Sequence, residues 1–216
     1  MDATTNQKIN DFFSSYKKQR YDRGHIFARP GETMEYVFYI AEGMVREYDI
    51  TTTGSEVVVN VLKPGAYFSV TQALIAEPNS WFYEALGDCK VRKAPTHEVV
   101  DFVQHNADVA FELLVRVSKG AHGLQRRMAH VMGGTARTQV LFELITEFSR
   151  FSTVKGGGKL EVKITTAELA KRCGLSRESV SRELKKLSSK QTLDKSYGAI
   201  SVRSLDVLRS QLGEAV

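Results

Sequence analysis

The stretch ITTAELAKRCGLSRESVSRELKKL, residues 164–187, predicts two short helices joined by a tight turn. Thr165 and Glu168 have the spacing of a capping box, in which the hydroxyl and the carboxylate satisfy backbone N–H groups at the start of a helix. Gly174 can adopt a positive φ and end that helix, and Ser176 can cap a second helix that begins one residue later. The pattern therefore predicts a helix-turn-helix.

The second of these helices has one apolar and one polar side. At 100° per residue, Val180, Leu184 and Leu187 share a narrow side that would pack on the first helix. In such motifs the N-terminal part of the second helix enters the DNA major groove, where guanidinium groups suit guanine and carboxylates suit cytosine. The expected base-reading residues are Arg177, Glu178, Ser181 and Arg182. An exposed amphipathic helix with Arg and Glu paired along it is the alternative, but it does not explain the caps and the glycine turn at matching offsets.

Polar side chains around this motif are expected to contact the DNA backbone. After the second helix, residues 192–194 and 199–202 flank Lys195–Gly198, which predicts a hairpin wing. The expected backbone contacts are Thr165, Thr166, Ser176, Ser179, Lys185, Lys195 and Ser196.

Composition limits the classes of protein to consider. The length of 216 residues and the 42% of hydrophobic residues favour one large or two modest globular domains. No apolar run approaches the roughly 20 residues that span a bilayer, and the polar start lacks the order of a signal peptide, so we expect a cytoplasmic protein with no membrane partner. Cys89 and Cys173 cannot form a disulfide framework or a four-thiolate metal site, and we expect both in cores.

Charge is distributed unevenly along the chain. The net charge is +5, yet residues 134–216 alone carry 15 Lys and Arg against 9 Asp and Glu, a net of +6. A basic surplus confined to the segment with the helix-turn-helix is typical of a module that binds double-stranded DNA.

The N-terminal half has a different pattern. Residues 7–19 predict a short helix, and from residue 21 to about 94 short runs rich in Val, Ile, Tyr and Phe alternate with turn signals. Such regular spacing predicts an antiparallel barrel or sandwich. Residues 36–40 and 56–62 are the clearest strands.

The order of these signals resembles a known family. Residues 23–25 (RGH), 29–32 (RPGE), 36–43 (YVFYIAEG) and 63–65 (KPG) are similar to the effector roll of the CRP/FNR superfamily of bacterial transcription regulators. The resemblance implies an α+β fold with an antiparallel β-roll, jelly-roll-like, as sensor domain, then a long dimerisation helix and a C-terminal winged helix-turn-helix domain. The expected divisions are 1–104, 105–133 and 134–216.

The resemblance also bears on the effector. Cyclic-nucleotide binders of the family follow the Pro-Gly turn with a Gly-Glu pair and later have an Arg-Ser or Arg-Ala pair. This chain reads AYFSVTQ at residues 66–72, and Asn79 stands roughly where the phosphate-binding arginine should be. A buried cyclic phosphate without its cation would be poorly compensated, so we expect an effector other than cyclic AMP or GMP, or none.

Cofactors are not expected. Two cysteines cannot hold an iron–sulfur cluster, and five scattered histidines favour neither haem nor another metal site. Trp81, Phe82 and Tyr83 could line an apolar effector cavity, although three consecutive aromatic residues in a strand more often divide between core and dimer contacts.

A heptad pattern runs from about residue 107 to 132. Apolar residues at alternating steps of four and three predict one side of a helix that pairs with its symmetry mate. The expected dimer-interface residues are Ala110, Leu114, Val117, Ala121, Leu124, Met128 and Val131. Gly133 and Gly134 follow and are expected to form a hinge.

Together these patterns predict a homodimeric transcription regulator rather than an enzyme. Its two recognition helices would contact a palindrome with half-sites about 34–36 Å apart. The Arg-Glu-x-x-x-Arg of residues 177–182 matches family members that read TGTGA, and Glu-x-x-Ser-Arg matches those that read TTGAT; we favour TGTGA. RNA polymerase is a further expected partner.

The alternative to a DNA-binding regulator is a ligand-sensing module that acts through protein partners. An enzyme on a metal-binding barrel would need clustered ligands such as His-x-His, which the sequence lacks.

Overall fold

The computed structural model describes residues 3–213. The helices are α1 (Ala3–Ser14), α2 (Val70–Ile75), α3 (Thr96–Gln104), α4 (Ala107–Gly133), α5 (Ala136–Phe151), α6 (Thr166–Cys173), α7 (Arg177–Ser189) and α8 (Leu205–Leu212). The strands are β1 (Lys18–Tyr21), β2 (Ile26–Ala28), β3 (Tyr36–Glu42), β4 (Val45–Ile50), β5 (Glu56–Leu62), β6 (Tyr67–Phe68), β7 (Phe82–Ala85), β8 (Cys89–Pro95), β9 (Thr153–Val154), β10 (Leu160–Val162), β11 (Asp194–Ser196) and β12 (Ala199–Val202). The chain divides into two compact units, and the boundary between them lies between Lys119 and Gly120.

The N-terminal unit contains two antiparallel sheets, of order β1-β8-β3-β6 and β2-β7-β4-β5. Side chains of a strand alternate between its two faces, so Phe38 and Ile40 enter a core shared by both sheets while Val37 and Tyr39 face the helices. The shared core is built from Ala28, Phe38, Ile40, Val45, Phe68, Tyr83, Ala85, Cys89 and Val91. These two sheets confirm the predicted α+β class with an antiparallel β-roll.

Helices α1 and α3 and the start of α4 cover the outer face of the first sheet. Ile9 and Phe13 of α1 are buried there, and the ring of Phe12 stacks on Phe102 with centroids 4.1 Å apart. The predicted range of 7–19 for the first helix was wrong, because the helix ends at Ser14. Arg92 binds the carbonyls of the residues around this end, and the chain then enters β1.

The C-terminal unit surrounds a small sheet of order β11-β12-β10-β9 with helices α5 to α8. Its core combines Val140, Leu141, Leu144 and Phe148 of α5 with apolar residues of α6, α7 and the sheet. Cys173 belongs to this core and Cys89 to the core of the roll; both are buried and free, as predicted.

Helix α4 is continuous over 27 residues and passes through the boundary between the two compact units. Its second half, from Gly120, therefore groups with the C-terminal unit, whereas the sequence suggested a separate dimerisation helix ending at residue 133. The division into 1–104, 105–133 and 134–216 stays a prediction. No helix within residues 3–213 is long and apolar enough to cross a membrane.

Candidate nucleic-acid interface

The caps of the helix-turn-helix form as predicted. The backbone N–H of Glu168 donates to Thr165 Oγ1 (3.1 Å), and the N–H of Thr165 donates to Glu168 Oε2 (2.8 Å). Gly174 ends α6 with a φ of +66°, and Ser176 Oγ accepts from the N–H of Ser179 at 3.2 Å. The turn between α6 and α7 is thus defined by hydrogen bonds within four residues of each helix end.

Helix α7 turns an apolar side into the core and a polar side outward. Val180, Leu184 and Leu187 are completely buried and pack with α6. The four predicted base-reading residues are all exposed, as is Lys185 one turn further along. The exposed residues Arg177, Glu178, Ser181, Arg182 and Lys185 form what we call the reading side of α7.

The residues expected to contact the DNA backbone fall into two groups. Lys185, Lys195 and Ser196 are exposed, and Thr166 and Ser179 are half-buried. The hydroxyls of Thr165 and Ser176 are engaged within the chain, since Thr165 Oγ1 donates to Glu168 Oε2 (2.8 Å) and Ser176 Oγ lies 3.0 Å from Ser179 Oγ. A phosphate contact through either hydroxyl would compete with a cap.

The wing is a hairpin with a tighter turn than the sequence suggested. Ser196 pairs with Ala199, so only Tyr197 and Gly198 form the turn, with Gly198 at a φ of +71°. Lys195 and Ser196, expected in the loop, lie in β11 instead. The side chain of Tyr197 is fully exposed at the tip. No role for Tyr197 was predicted, although an aromatic residue beside a turn glycine was the available signal.

The heptad side of α4 is exposed in the single chain. The exposed fractions are 58% for Leu114, 43% for Val117, 47% for Leu124, 60% for Met128 and 50% for Val131. Ala121 is also exposed, whereas Ala110 is half-buried against the helices that cover the roll. Phe111, 67% exposed three residues before Leu114, was missed because it falls outside the strict heptad steps. Five of the seven residues predicted for the dimer interface are thus large, apolar and exposed in this chain, and the interface itself stays a prediction.

Gly133 is the last residue of α4, and Gly134, which follows it, is closely packed. A Cβ on Gly134 would lie 2.2 Å from the carbonyl oxygen of His130 and 2.4 Å from Thr138 Oγ1, so no larger residue fits. Arg127 Nη2 donates to Glu143 Oε1 at 2.8 Å and ties the end of α4 to α5. Movement at the predicted hinge, Gly133 and Gly134, would have to break this contact, and the hinge stays a prediction.

The roll positions named for the effector have internal roles. Asn79 is 2% exposed; its Nδ2 donates to the carbonyl of Arg29 (3.0 Å) and to that of Trp81, and its Oδ1 accepts from the Trp81 N–H (3.2 Å). Ser69, 2% exposed, places its hydroxyl 2.8 Å from the carbonyl of Tyr36. Both side chains are therefore engaged in hydrogen bonds within the polypeptide, and the expected effector stays a prediction.

Strand β4 of the roll carries a carboxylate on the half-buried residue Glu47. Tyr83 donates its hydroxyl to Glu47 Oε1 at 3.0 Å, and Asn60 also hydrogen-bonds the carboxylate. Burial raises the pKa of Glu47 and of Tyr83. Of the three consecutive aromatic residues, Tyr83 is in the core and Phe82 stacks on Tyr48, so they do not form a single cavity wall. Within residues 3–213, no group of three or more His, Cys, Asp or Glu residues is placed to hold a metal ion.

Comparison with known proteins agrees with this architecture. Residues 18–106 match the cyclic nucleotide-binding domain family, and residues 127–211 match the Crp-like helix-turn-helix domain family. The transcriptional regulator SdrP of Thermus thermophilus is 24% identical over 193 residues, which cover 86% of this chain and 89% of that protein. The cAMP-activated global transcriptional regulator CRP of Pasteurella multocida is 22% identical over 186 residues, 84% of this chain and 88% of that protein. The structure of FixK2 from Bradyrhizobium japonicum superposes with a TM-score of 0.78 at 21% identity, covering 93% of this chain and 98% of that one.

A sensor roll followed by a winged helix-turn-helix defines a DNA-binding transcription regulator, not an enzyme. The chain belongs to the CRP/FNR family of such regulators.

Proposed function

We propose that the protein is a homodimer that reads a palindrome with TGTGA-like half-sites, under the control of an effector other than a cyclic nucleotide or of none. The observation that carries the proposal is the reading side of α7, where Arg177 and Glu178 are exposed in the first turn of a helix whose other side is buried. In a helix-turn-helix this turn meets the base edges.

Dimerisation is supported by the exposed heptad side of α4. Leu114, Leu124 and Met128 are each about half exposed in the single chain, and a symmetry-related helix would cover them. Two copies would present their α7 helices about one turn of DNA apart, 34–36 Å. Because the two copies are related by symmetry, their DNA site would be a palindrome. Residues 105–133 would then serve as the dimerisation helix between a sensor domain, 1–104, and a DNA-binding domain, 134–216.

The half-site follows from the chemistry of the reading side. Arg177 suits an outer guanine, Glu178 suits cytosine on the opposite strand, and Arg182 suits a second guanine. TGTGA offers two guanines, whereas TTGAT offers one. The two arginines therefore favour TGTGA. Lys185 and Lys195 would neutralise phosphates on either side.

The proposed absence of cyclic-nucleotide control rests on the internal roles of Asn79 and Ser69. Their side chains are buried and hydrogen-bonded to backbone groups, and Glu47 places a carboxylate in the interior of the roll. An anionic cyclic phosphate would find no arginine at the position of Asn79. The relative from Pasteurella multocida that is named cAMP-activated is therefore not a guide to the effector of this chain.

A binding selection from randomised DNA, with purified full-length protein and no added ligand, tests the proposal. We expect recovery of a palindrome with TGTGA-like arms. Recovery of TTGAT-like arms would reverse the half-site assignment. Retention on heparin that salt releases, with no enriched sequence, would count against a free protein that is already competent to read DNA.

A further inference from the structure

The helix-turn-helix is joined to the end of α4 by a buried cluster of charged side chains, which we call the charge cluster: Arg127, Glu143, Glu147 and Arg172. Arg127 Nη2 lies 2.8 Å from Glu143 Oε1, and the two side chains are 21% and 2% exposed. Arg172 forms an ion pair with Glu147, and these side chains are 13% and 5% exposed. Every member is thus largely removed from water.

The charge cluster connects three helices in series. Arg127 is on the last turns of α4, Glu143 and Glu147 are one turn apart on α5, and Arg172 is on α6, the first helix of the helix-turn-helix. Each ion pair therefore bridges two different helices. Together the pairs form a chain of contacts from the end of the dimerisation helix to the motif that carries the reading side.

Further charged groups surround these pairs. Arg150 of α5 lies close enough to interact with Glu147, and burial lowers its pKa. The thiol of Cys173 faces the same carboxylates and guanidinium groups, and burial raises its pKa. His130 of α4 and Arg126 contact the ring of Phe142 at the edge of the cluster.

Such a cluster is a poor source of stability. Removing charges from water costs several kcal/mol per ion, and replacement of a buried pair by apolar residues of similar size is often neutral or stabilising. Ion pairs are more directional than apolar contacts. The donor and acceptor must meet at a defined distance and angle, because otherwise a buried charge is left unpaired. The best supported role of buried ion pairs is to select one arrangement of the packed helices among several.

We propose that Arg127, Glu143, Glu147 and Arg172 are positioning residues that fix the helix-turn-helix at one orientation on the end of α4 and so determine which spacing between half-sites the protein accepts. The inference rests on the proposed reading of a palindrome by a homodimer. Leu124, Met128 and Val131, which would pair with the partner helix, lie beside Arg127 in sequence. A change in the angle between α4 and α6 would therefore alter the distance between the two reading sides.

The test measures how binding depends on the spacing between the two half-sites, and not affinity alone. Full-length protein is presented with DNA in which both half-sites are fixed and the spacer varies by one or two base pairs. The variant Arg127→Met/Glu143→Met replaces one ion pair by apolar side chains of similar length. We expect it to fold with unchanged or raised Tm and to bind a single half-site as the wild type does. Its preference for the best spacer should fall from about tenfold or more to about threefold.

A matched control separates positioning from a general effect of a buried carboxylate. Glu183 is 7% exposed and pairs with Lys186 at 2.7 Å, but both residues belong to α7, so this pair bridges no helices. Glu183→Gln should keep the spacing profile of the wild type even if its Tm changes.

The outcomes are distinct. A folded Arg127→Met/Glu143→Met protein with the spacing profile of the wild type overturns the inference. If that protein does not fold, Glu143→Gln, which preserves the shape of the side chain, is judged by the same criterion. A wild-type protein that shows no spacing preference overturns the proposed homodimeric reading itself.

Discussion

Arg177 is exposed in the first turn of α7, whereas Val180, Leu184 and Leu187 of the same helix are completely buried. The packing of these three residues in the C-terminal core fixes the backbone of α7, from which the Arg177 side chain extends. A bidentate contact with guanine depends on both distance and direction, so such a residue contributes discrimination between bases rather than general attraction to DNA. Lys185, further along the same side, has a flexible stem and suits a phosphate.

Arg177→Ala should weaken binding to the preferred half-site by about 1 to 3 kcal/mol, concentrated at one base pair. Competition binding against all single-base variants of the half-site measures this. Lys185→Ala is the matched comparison, because loss of a phosphate contact should weaken all sequences alike and reduce the salt dependence by about one unit of slope. A uniform loss for Arg177→Ala would contradict its assignment as a base reader.

Glu47 illustrates a residue whose charge opposes folding. Its carboxyl is largely buried in the roll, and burial raises its pKa despite hydrogen bonds from Tyr83 and Asn60. The folded protein therefore holds the proton more tightly than the unfolded chain does. Between the ordinary carboxyl pKa and the raised one, the free energy of unfolding decreases as the pH rises.

Glu47→Gln should remove this penalty. We expect the free energy of unfolding to exceed that of the wild type by about 1 kcal/mol near neutral pH, because the amide carries no charge to bury. The difference should disappear below about pH 4, where the wild-type carboxyl is protonated in both states. Urea unfolding across this range measures it, with the exposed Glu77→Gln as control. A difference that does not change with pH would show that ionisation is not the cause.

At the scale of elements, α4 combines two roles in one helix. Val109 and Leu113 near its start are buried in the helical layer on the roll, while its second half belongs to the C-terminal unit. Gly120 and Gly123 lie where these halves meet, and a Cβ on either would touch nothing within the chain. Their helix-weakening effect, about 1 kcal/mol each relative to Ala, is therefore not offset by close packing inside this chain.

If the protein is the proposed homodimer, Leu124→Lys should convert it to a monomer without unfolding the chain. Leu124 is 47% exposed and belongs to none of the three hydrophobic cores, so its loss affects only the proposed partner helix. Sedimentation measures the mass, and circular dichroism measures the fold. His122→Lys introduces the same charge at an exposed position outside the heptad side and should stay dimeric. Equal masses for the two variants and the wild type would argue against α4 as the interface.

Over the whole chain, the roll and the helix-turn-helix belong to two separate compact units, which divide between Lys119 and Gly120. An effector in the roll could influence DNA reading only by favouring one arrangement of the chain over another. Asn79 and Ser69 hydrogen-bond backbone carbonyls, and on this ground we propose that cyclic nucleotides do not favour either arrangement.

Cyclic AMP or cyclic GMP, at up to roughly 1 mM, should change neither DNA affinity nor the fluorescence of Trp81. Trp81 is a sensitive reporter because it is the single tryptophan of the chain and its backbone hydrogen-bonds Asn79. Parallel titrations in the presence and absence of DNA provide the measurement. A saturable fluorescence change that accompanies tighter DNA binding would restore a cyclic nucleotide as the effector.

The helix-turn-helix, its caps and the heptad side of α4 could all be predicted from the sequence. The reason is physical: the Thr165 and Ser176 caps, the turn at Gly174 and the sides of a helix depend on residues within a few positions of one another. The most regular strands, β3 and β5, were also recognisable, because alternation has a short period.

Which distant groups meet could not be predicted, because it depends on how the helices and sheets pack. Arg127 and Glu143 are 16 residues apart in sequence, and Asn79 binds a carbonyl 50 residues away. The close packing of Gly134, which a hinge interpretation overlooked, likewise depends on how α4 meets α5. A charged or polar residue in a sequence can pair with many partners, and burial selects one of them because an unpaired buried group is costly. That choice exists only once the helices and sheets have packed.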